Sequence, residues 1–293
     1  MREKGKRPFR KKEDGDRESP RSGDKRPAGR NTKPLGGKGK KRPAEAEEKK
    51  PPRLNQYIAR AGVCSRREAD ELIASGKVKV NGRVVREMGM RVHRDDKVEY
   101  EGNVLRGETL RYVLLNKPKG FIVNVKDEKG RKTVMDLVKN ACAERLYPVG
   151  RLERDTTGLL LFTNDGDLAR QLTNPATKVK QIYHVYLDKP MLEADIETLM
   201  GGIELAGDKV KPDVVNYVQE VEDGTQLGAQ FHSGRNTFVR GMFEHFGYKV
   251  EKLDRALYAN LTKKDIPRGK WRFLKDKEIA LLKVMVGKTK KKA

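Results

Sequence analysis

Gly150-Arg151-Leu152-Glu153-Arg154-Asp155-Thr156-Thr157-Gly158-Leu159-Leu160-Leu161-Phe162-Thr163-Asn164-Asp165-Gly166 places two carboxylates among arginines directly before a continuous apolar run. Four apolar residues in a row, 159–162, are followed by the turn formers Asn164-Asp165-Gly166, and this predicts a short buried strand. A carboxylate at the edge of a rigid strand, kept ionised by nearby cations, suits a catalytic group. Taken alone, the same stretch also suits a surface ion-pair cluster in a loop.

Outward from this strand, residues 112–115 form another short buried run, ended by Asn116-Lys117-Pro118. Residues 121–125 alternate, and 182–187, 214–218, 229–232 and 250–253 read as further strands. Helices are expected at 134–138, 168–172 and 238–246. Strands outnumber helices and do not alternate strictly with them. The fold class is therefore α+β with a mostly antiparallel sheet, and a doubly wound parallel sheet is excluded. There is no internal repeat.

Ahead of this domain lies a smaller module, 51–102. Leu54, Tyr57, Ile58 and Ala61 recur at helical spacing, and Gly62 ends that helix. Ser65-Arg66-Arg67-Glu68 is a capping box that opens a second helix burying Ala69, Leu72 and Ile73, which stops at Gly76. Val78 and Val80 alternate as a strand, Asn81-Gly82 makes a hairpin turn, Val84 and Val85 begin the return, and Val98 and Tyr100 close the module. Arg66 and Arg67 sit in the first turn of a helix, where the dipole disfavours cations and an RNA phosphate would relieve the cost. Arg53, Arg60, Lys77 and Lys79 add to this charge. An ordinary basic surface is the plainer alternative.

The 293 residues carry a formal charge of +23, which implies a polyanionic partner, nucleic acid before an acidic membrane surface. No stretch is long and apolar enough to span a bilayer, and no apolar segment follows the basic N-terminus as in a secretory signal. A basic run also fits a nuclear import tag. Two distant cysteines and four scattered histidines give no ligand-spaced cluster, so no metal is expected, and a reducing cytoplasmic setting follows. Residues 1–50 hold 19 Lys/Arg and 9 Asp/Glu with almost nothing large and apolar. They are expected to be a disordered basic tail, acting as an electrostatic tether to RNA or simply solvated. Residues 103–110 read as a linker, 108–287 as the larger domain and 288–293 as a second basic tail.

Two resemblances follow. Arg53-Leu54-Asn55-Gln56-Tyr57-Ile58-Ala59-Arg60-Ala61-Gly62, Ser65-Arg66-Arg67-Glu68-Ala69 and Gly76-Lys77-Val78-Lys79-Val80-Asn81-Gly82 together resemble an S4 (αL-type) domain, an RNA-binding module. In order after it come Asn116-Lys117-Pro118-Lys119-Gly120, Tyr147-Pro148-Val149-Gly150-Arg151-Leu152, Thr156-Thr157-Gly158-Leu159-Leu160-Leu161, Thr163-Asn164-Asp165-Gly166, and Gly234-Arg235-Asn236 with Val239-Arg240 and Met242. Gly269-Lys270-Trp271-Arg272 ends the series, and the whole resembles the RsuA/RluB/RluE/RluF family of bacterial ribosomal RNA pseudouridine synthases.

The resemblance implies a uridine flipped from structured RNA into a pocket, detached with the help of a carboxylate and rejoined through carbon 5, with no cofactor. It implies Tyr183 as the residue stacking on the base and Arg240 as the partner of the carboxylate. Lys117, Arg151, Arg235 and Asn236 join Arg53, Arg60, Ser65, Arg66, Arg67, Lys77 and Lys79 as expected RNA contacts. The implied partner is ribosomal RNA, free or in a pre-ribosomal particle, of the large subunit before the small, met by a monomer without a membrane.

This chain departs from the family at the centre. The aspartate of Gly-Arg-Leu-Asp is here Glu153, one methylene longer, and Asp155 stands two residues on. A basic residue two before the stacking tyrosine is here Gln181. Asn-Arg-Gln-Val-Arg-Arg-Met is here Asn236-Thr237-Phe238-Val239-Arg240-Gly241-Met242. Two outcomes stay open: a synthase using Glu153 or Asp155, or a non-catalytic RNA-binding protein on the same scaffold acting in ribosome assembly.

Overall fold

The computed structural model describes residues 51–106, 109–219, 223–232 and 239–290. The expected tail at 1–50 and the expected RNA contacts Arg235 and Asn236 lie outside them. The first module is α1 (Leu54–Arg60), α2 (Arg66–Ala74), β1 (Val78–Val80), β2 (Arg83–Val84), β3 (Val98–Tyr100) and β4 (Asn103–Val104). The capping box at Ser65 is present in both directions: Glu68 N donates to Ser65 Oγ, and Ser65 N donates to the Glu68 carboxylate at 2.6 Å. Asn81 and Gly82 both take positive φ, +52° and +79°, as a tight hairpin turn requires. The strands order β2-β1-β3-β4. Leu54, Ile58, Ala69, Ile73, Val78, Val80, Val92 and Val98 close a small core beneath the two helices.

The module runs further than its sequence pattern indicates. Asn103–Val104, expected as linker, pairs antiparallel with β3, and Leu105 N donates to Val98 O. Exposed Val104 carries no burial signal, so composition alone reads it as linker.

The larger domain continues with β5 (Tyr112–Lys117), α3 (Met135–Val138), β6 (Tyr147–Pro148), β7 (Thr157–Thr163), α4 (Gly166–Thr173), β8 (Lys180–Leu187) and α5 (Glu193–Gly201). Then follow β9 (Ile203–Leu205), β10 (Asp208–Val210), β11 (Val214–Tyr217), β12 (Gln226–His232), α6 (Val239–Glu244), β13 (Val250–Tyr258), β14 (Leu261–Thr262), β15 (Trp271–Phe273) and α7 (Asp276–Lys290). The main sheet orders β11-β12-β8-β13-β7-β5-β15, with β14 on β13 and β6 on β7. β13 and β7 run parallel, and the other described pairs are antiparallel. The α+β expectation holds.

The continuous apolar runs are explained by two cores, one on each sheet face. Leu160 and Phe162 of β7 join Val113 and Leu115 of β5 in one, which extends under α3, α5 and α6. Leu159 and Leu161 join Tyr112 and Leu114 in the other, beneath α4 and α7. β8 is covered on one face only, so it alternates: Gln181, Tyr183, Val185 and Leu187 are buried and the residues between are not.

One expected strand does not form, and two helices appear that the sequence pattern does not mark. Residues 121–125 form no strand; Ile122 makes a single bridge to Thr133. α5 escapes notice because its N-cap Leu192 offers no side-chain cap and only Ile196 and Leu199 are buried. α7 escapes because exposed Leu281 and Val284 blur the stripe marked by buried Leu282 and Val286. Its last turn reaches Lys290, where a basic tail from 288 was expected.

Candidate active site

The loop before β7 is built around one buried cation. Lys117, the last residue of β5, is fully buried, and its Nζ donates to the carbonyls of Thr156 (2.8 Å), Arg154 (2.9 Å) and Glu153 (3.0 Å), with Pro118 O at 3.3 Å. Three carbonyls converging on one ammonium fix the loop that carries Glu153. This corrects the expected role of Lys117: a buried ammonium spent on backbone carbonyls is not available to an RNA phosphate. Burial, aided by the Arg268 guanidinium, pushes its pKa down to about 8 against the opposing pull of Asp155 and Glu153.

That shift has a measurable sign. From about pH 8 up to the ordinary lysine range the folded protein binds fewer protons than the unfolded chain, so this group's contribution to stability rises with pH. The Tm of the wild type should therefore gain on that of Lys117→Met as pH is raised through this window. A constant difference between the two would show that Lys117 keeps its proton throughout.

Glu153 is half-buried. Its Oε2 accepts from Arg240 Nε at 3.2 Å and from Thr156 Oγ1 at 3.4 Å. Arg240 lies on α6, and its Nη1 donates to Val250 O at 2.6 Å, which ties the guanidinium to the start of β13. The arginine 87 positions downstream thus meets the carboxylate that the family resemblance paired with it. Asp155 is placed differently. Residues 154 and 155 form a bend, Asp155 is exposed, and it has no hydrogen-bond partner among the described residues.

Tyr183 is buried to 1 % exposure, with Phe231 edge-on at 5.9 Å. Its hydroxyl donates to Gln181 Oε1 at 3.1 Å, and that oxygen also accepts from Arg255 Nη1 at 3.0 Å. Burial raises the Tyr183 phenol pKa, and the nearby Glu153 charge adds to the rise. In the free protein no ring face is open to a base, so stacking on Tyr183 requires the site to open. Arg255, fully buried, also donates from Nε to Leu159 O at 2.8 Å and lies 4.6 Å from the Tyr258 ring centre. A neutral acceptor at position 181 suits this guanidinium, whereas the basic residue of the family would set a second cation against it.

Beside Arg255, buried Asp254 accepts from Thr157 Oγ1 (2.6 Å), Arg268 Nη1 (2.7 Å) and Lys263 Nζ. Burial pushes its carboxyl up, but these donors together outweigh burial and hold it below the ordinary range. Arg268 also reaches Asn116 Oδ1 at 2.8 Å, linking β5, β7 and β13 under the loop. Sequence reasoning missed Gln181 as a clamp, and missed Asp254, Arg255 and Arg268. Two opposite charges inside an apolar strand at 254 and 255 were the available signal.

Of the expected RNA contacts, Arg53, Arg66, Arg67, Lys77, Lys79 and Arg151 are exposed. Ser65 is the N-cap of α2, so its oxygen serves the helix first. Arg60 is engaged by Asp167.

The sequence matches the family described as RNA pseudouridylate synthase over residues 111–245 and the S4 domain over residues 52–98. It is 38 % identical over 237 residues to an uncharacterised RNA pseudouridine synthase of Aquifex aeolicus, covering 80 % of this chain and 95 % of the relative. It is 40 % identical over 235 residues to ribosomal large subunit pseudouridine synthase B of Bacillus subtilis, covering 80 % of this chain and 96 % of that one. The chain belongs to the RNA pseudouridine synthase family. The dual-specificity RNA pseudouridine synthase RluF of Escherichia coli K12 is 36 % identical over 230 residues, with 78 % and 77 % of the two chains covered. A crystal structure of a pseudouridylate synthase superposes with a TM-score of 0.57 at 29 % identity, covering 78 % of this chain and 99 % of that one. The loop before β7 and helix α6 thus bring Glu153 and Arg240 together beside the start of β13. Among the described residues no group of three or more His, Cys, Asp or Glu could hold a metal ion, and no helix is long and apolar enough to cross a membrane.

Proposed function

We propose that this protein isomerises a uridine of ribosomal RNA, in the large subunit, to pseudouridine, with Glu153 as the reacting carboxylate. The observation that carries this reading is the Glu153–Arg240 pair, which joins the position of the family aspartate to its arginine. Exposed cations on the S4 module grip structured RNA, and the target uridine leaves the stack and enters the opened site. Glu153 then helps break the bond from C1′ of the ribose to N1 of the base. The base turns, and C1′ bonds to C5. The C5 proton is lost and N1 gains one, so the reaction balances as an isomerisation without a co-reactant. Arg240 pairs with the carboxylate and aims it, and the Lys117-pinned backbone keeps its loop in register. Action as a monomer in the cytoplasm completes this reading. The non-catalytic alternative gains nothing from the site, because its charged pair is intact.

The test is genetic and chemical. The gene is deleted, pseudouridines are mapped across the ribosomal RNAs, and the strain is complemented with wild type or Glu153→Ala. One lost pseudouridine, restored by wild type alone, is the expected result. An unchanged map after deletion would refute the proposal.

A further inference from the structure

Arg60, at the end of α1, sends Nη2 to Asp167 Oδ2 at 2.9 Å, from the S4 module to the first turn of α4. Both side chains are about one-third exposed, 34 % and 36 %. A second pair crosses nearby: Arg145 lies 3.9 Å from Glu68, the capping-box carboxylate of α2. Between the two modules runs a cleft of about 250 Å³, walled by Gln56, Ala59 and Ser65 on one side and by Tyr147, Thr163 and Ala169 on the other. The S4 module is therefore seated at a defined place on the larger domain.

That place has a fixed relation to the reacting carboxylate. β7 runs from Thr157 to Thr163 and is buried from its second residue onward. It is hydrogen-bonded along one side to β5, and at opposite ends of its other side to β13 and β6. The Glu153 loop enters at its start. Its far end leads within three residues to α4, where Asp167 waits. Seven strand residues span about 20 Å. A strand held in this way does not flex, so it acts as a rigid spacer between the reaction centre and the seat of the S4 module.

We propose that the Arg60–Asp167 pair docks the S4 module at one end of this spacer, and so sets which uridine reaches Glu153: the one at a fixed distance from the RNA feature gripped by α2. The uridine-setting half rests on the ribosomal function proposed above; the docking half does not. Arg60 is then a positioning residue, and its charge is directed at the protein rather than at RNA. An exposed ion pair shifts a docked population by up to about five-fold. Two such pairs beside this cleft hold the module in place while leaving the contact open to disruption by one charge reversal.

The experiment is a charge swap in the full-length protein, with Arg60→Glu, Asp167→Arg and the double variant. In a Cys64→Ser, Cys142→Ser background, spin labels on Arg94→Cys and Glu197→Cys report the distance between the modules without RNA. A narrow distribution is expected for the parent and for the swap, and a broad one for each single reversal. In the deletion strain, Asp167→Arg should lower the target pseudouridine by about five- to ten-fold, with its affinity for purified ribosomal RNA undiminished, and the swap should restore it. A distribution that stays narrow in Asp167→Arg overturns the dock. So does a swap that fails to restore both readouts, the result expected if Arg60 instead grips RNA. A parent protein that modifies no ribosomal uridine overturns the uridine-setting half together with the ribosomal function, while the distances still decide the dock.

Discussion

Glu153→Gln is expected to lower the single-turnover rate of pseudouridine formation by about 10⁴-fold, the scale seen when a group that acts on the reacting atoms is removed, with RNA affinity held within about two-fold. The amide has nearly the same shape and can still accept from Thr156 Oγ1, so the loop should keep its form. What is lost is the negative charge, needed at the reaction centre and matched in the free protein by Arg240. RNA affinity should be spared because the exposed cations on α2 and β1 are untouched.

Two further substitutions grade the effect. Glu153→Asp withdraws the carboxylate by about 1 Å, and a displacement of that size costs on the order of 100-fold. It restores the residue usual in the family, yet here Arg240 is fastened to Val250 O and has little freedom to follow. Arg240→Lys removes both that tether and the Nε contact, because a lysine cannot reproduce the two-pronged geometry. It should fall in the same range. The expected order of rates is wild type, then Glu153→Asp and Arg240→Lys together, then Glu153→Gln. Asp155→Asn, changing an exposed side chain on the bend, should cost less than about ten-fold. If Asp155→Asn instead produced the large loss while Glu153→Gln kept a tenth of its rate, Asp155 would be the reacting carboxylate.

The fold was legible where physics is local. The capping box at Ser65 and the Asn81-Gly82 turn are statements about neighbours in sequence, and each appears as expected. The doubly covered strands β5 and β7 were legible because burial on both faces leaves an uninterrupted apolar run. The site was legible only through motif resemblance, which paired Glu153 with Arg240. Its support was not. Lys117 before Pro118 looks like a solvated turn cation, and the carbonyls that bury it come from 36 to 39 residues away. β13 was expected to end at Leu253 because Asp254 and Arg255 break its apolar pattern. Asp254 is held by Thr157, Lys263 and Arg268 and Arg255 by Leu159 O and Gln181, with Arg255 Nη2 left unsatisfied among the described residues, and no local pattern records the proximity of these groups. Arg60 shows the same limit from the opposite side. It reads as a surface cation, and only the seat on α4 reveals its partner.

Gly158→Ala should destabilise the protein by about 3–6 kcal/mol, a large part of a typical total stability. Gly158 has φ +102°, a conformation that residues with a Cβ rarely adopt. Strain of that kind alone costs on the order of 1–3 kcal/mol. The space is also closed. An added Cβ would stand 2.6 Å from the amide nitrogen of Arg255 and nearer still to its carbonyl oxygen, both of them backbone atoms. Neither can swing aside as a flexible side chain would. The close approach exists because β13 meets β7 in parallel at Thr157 and Gly158, which brings Thr157 Oγ1 to Asp254. A methyl group would push β13 away just where Asp254 and Arg255 are held, and would loosen the clamp on Tyr183 with them. Gly241→Ala is the control: its new Cβ would meet only Leu205 Cδ1 at 3.9 Å, within a helix, so it should be neutral or stabilising by up to about 1 kcal/mol. Urea midpoints of the two variants against wild type decide the matter. A Gly158→Ala protein less than about 1 kcal/mol below wild type would mean that β13 can yield at this crossing, and that the parallel contact behind the active site is not the rigid joint its geometry describes.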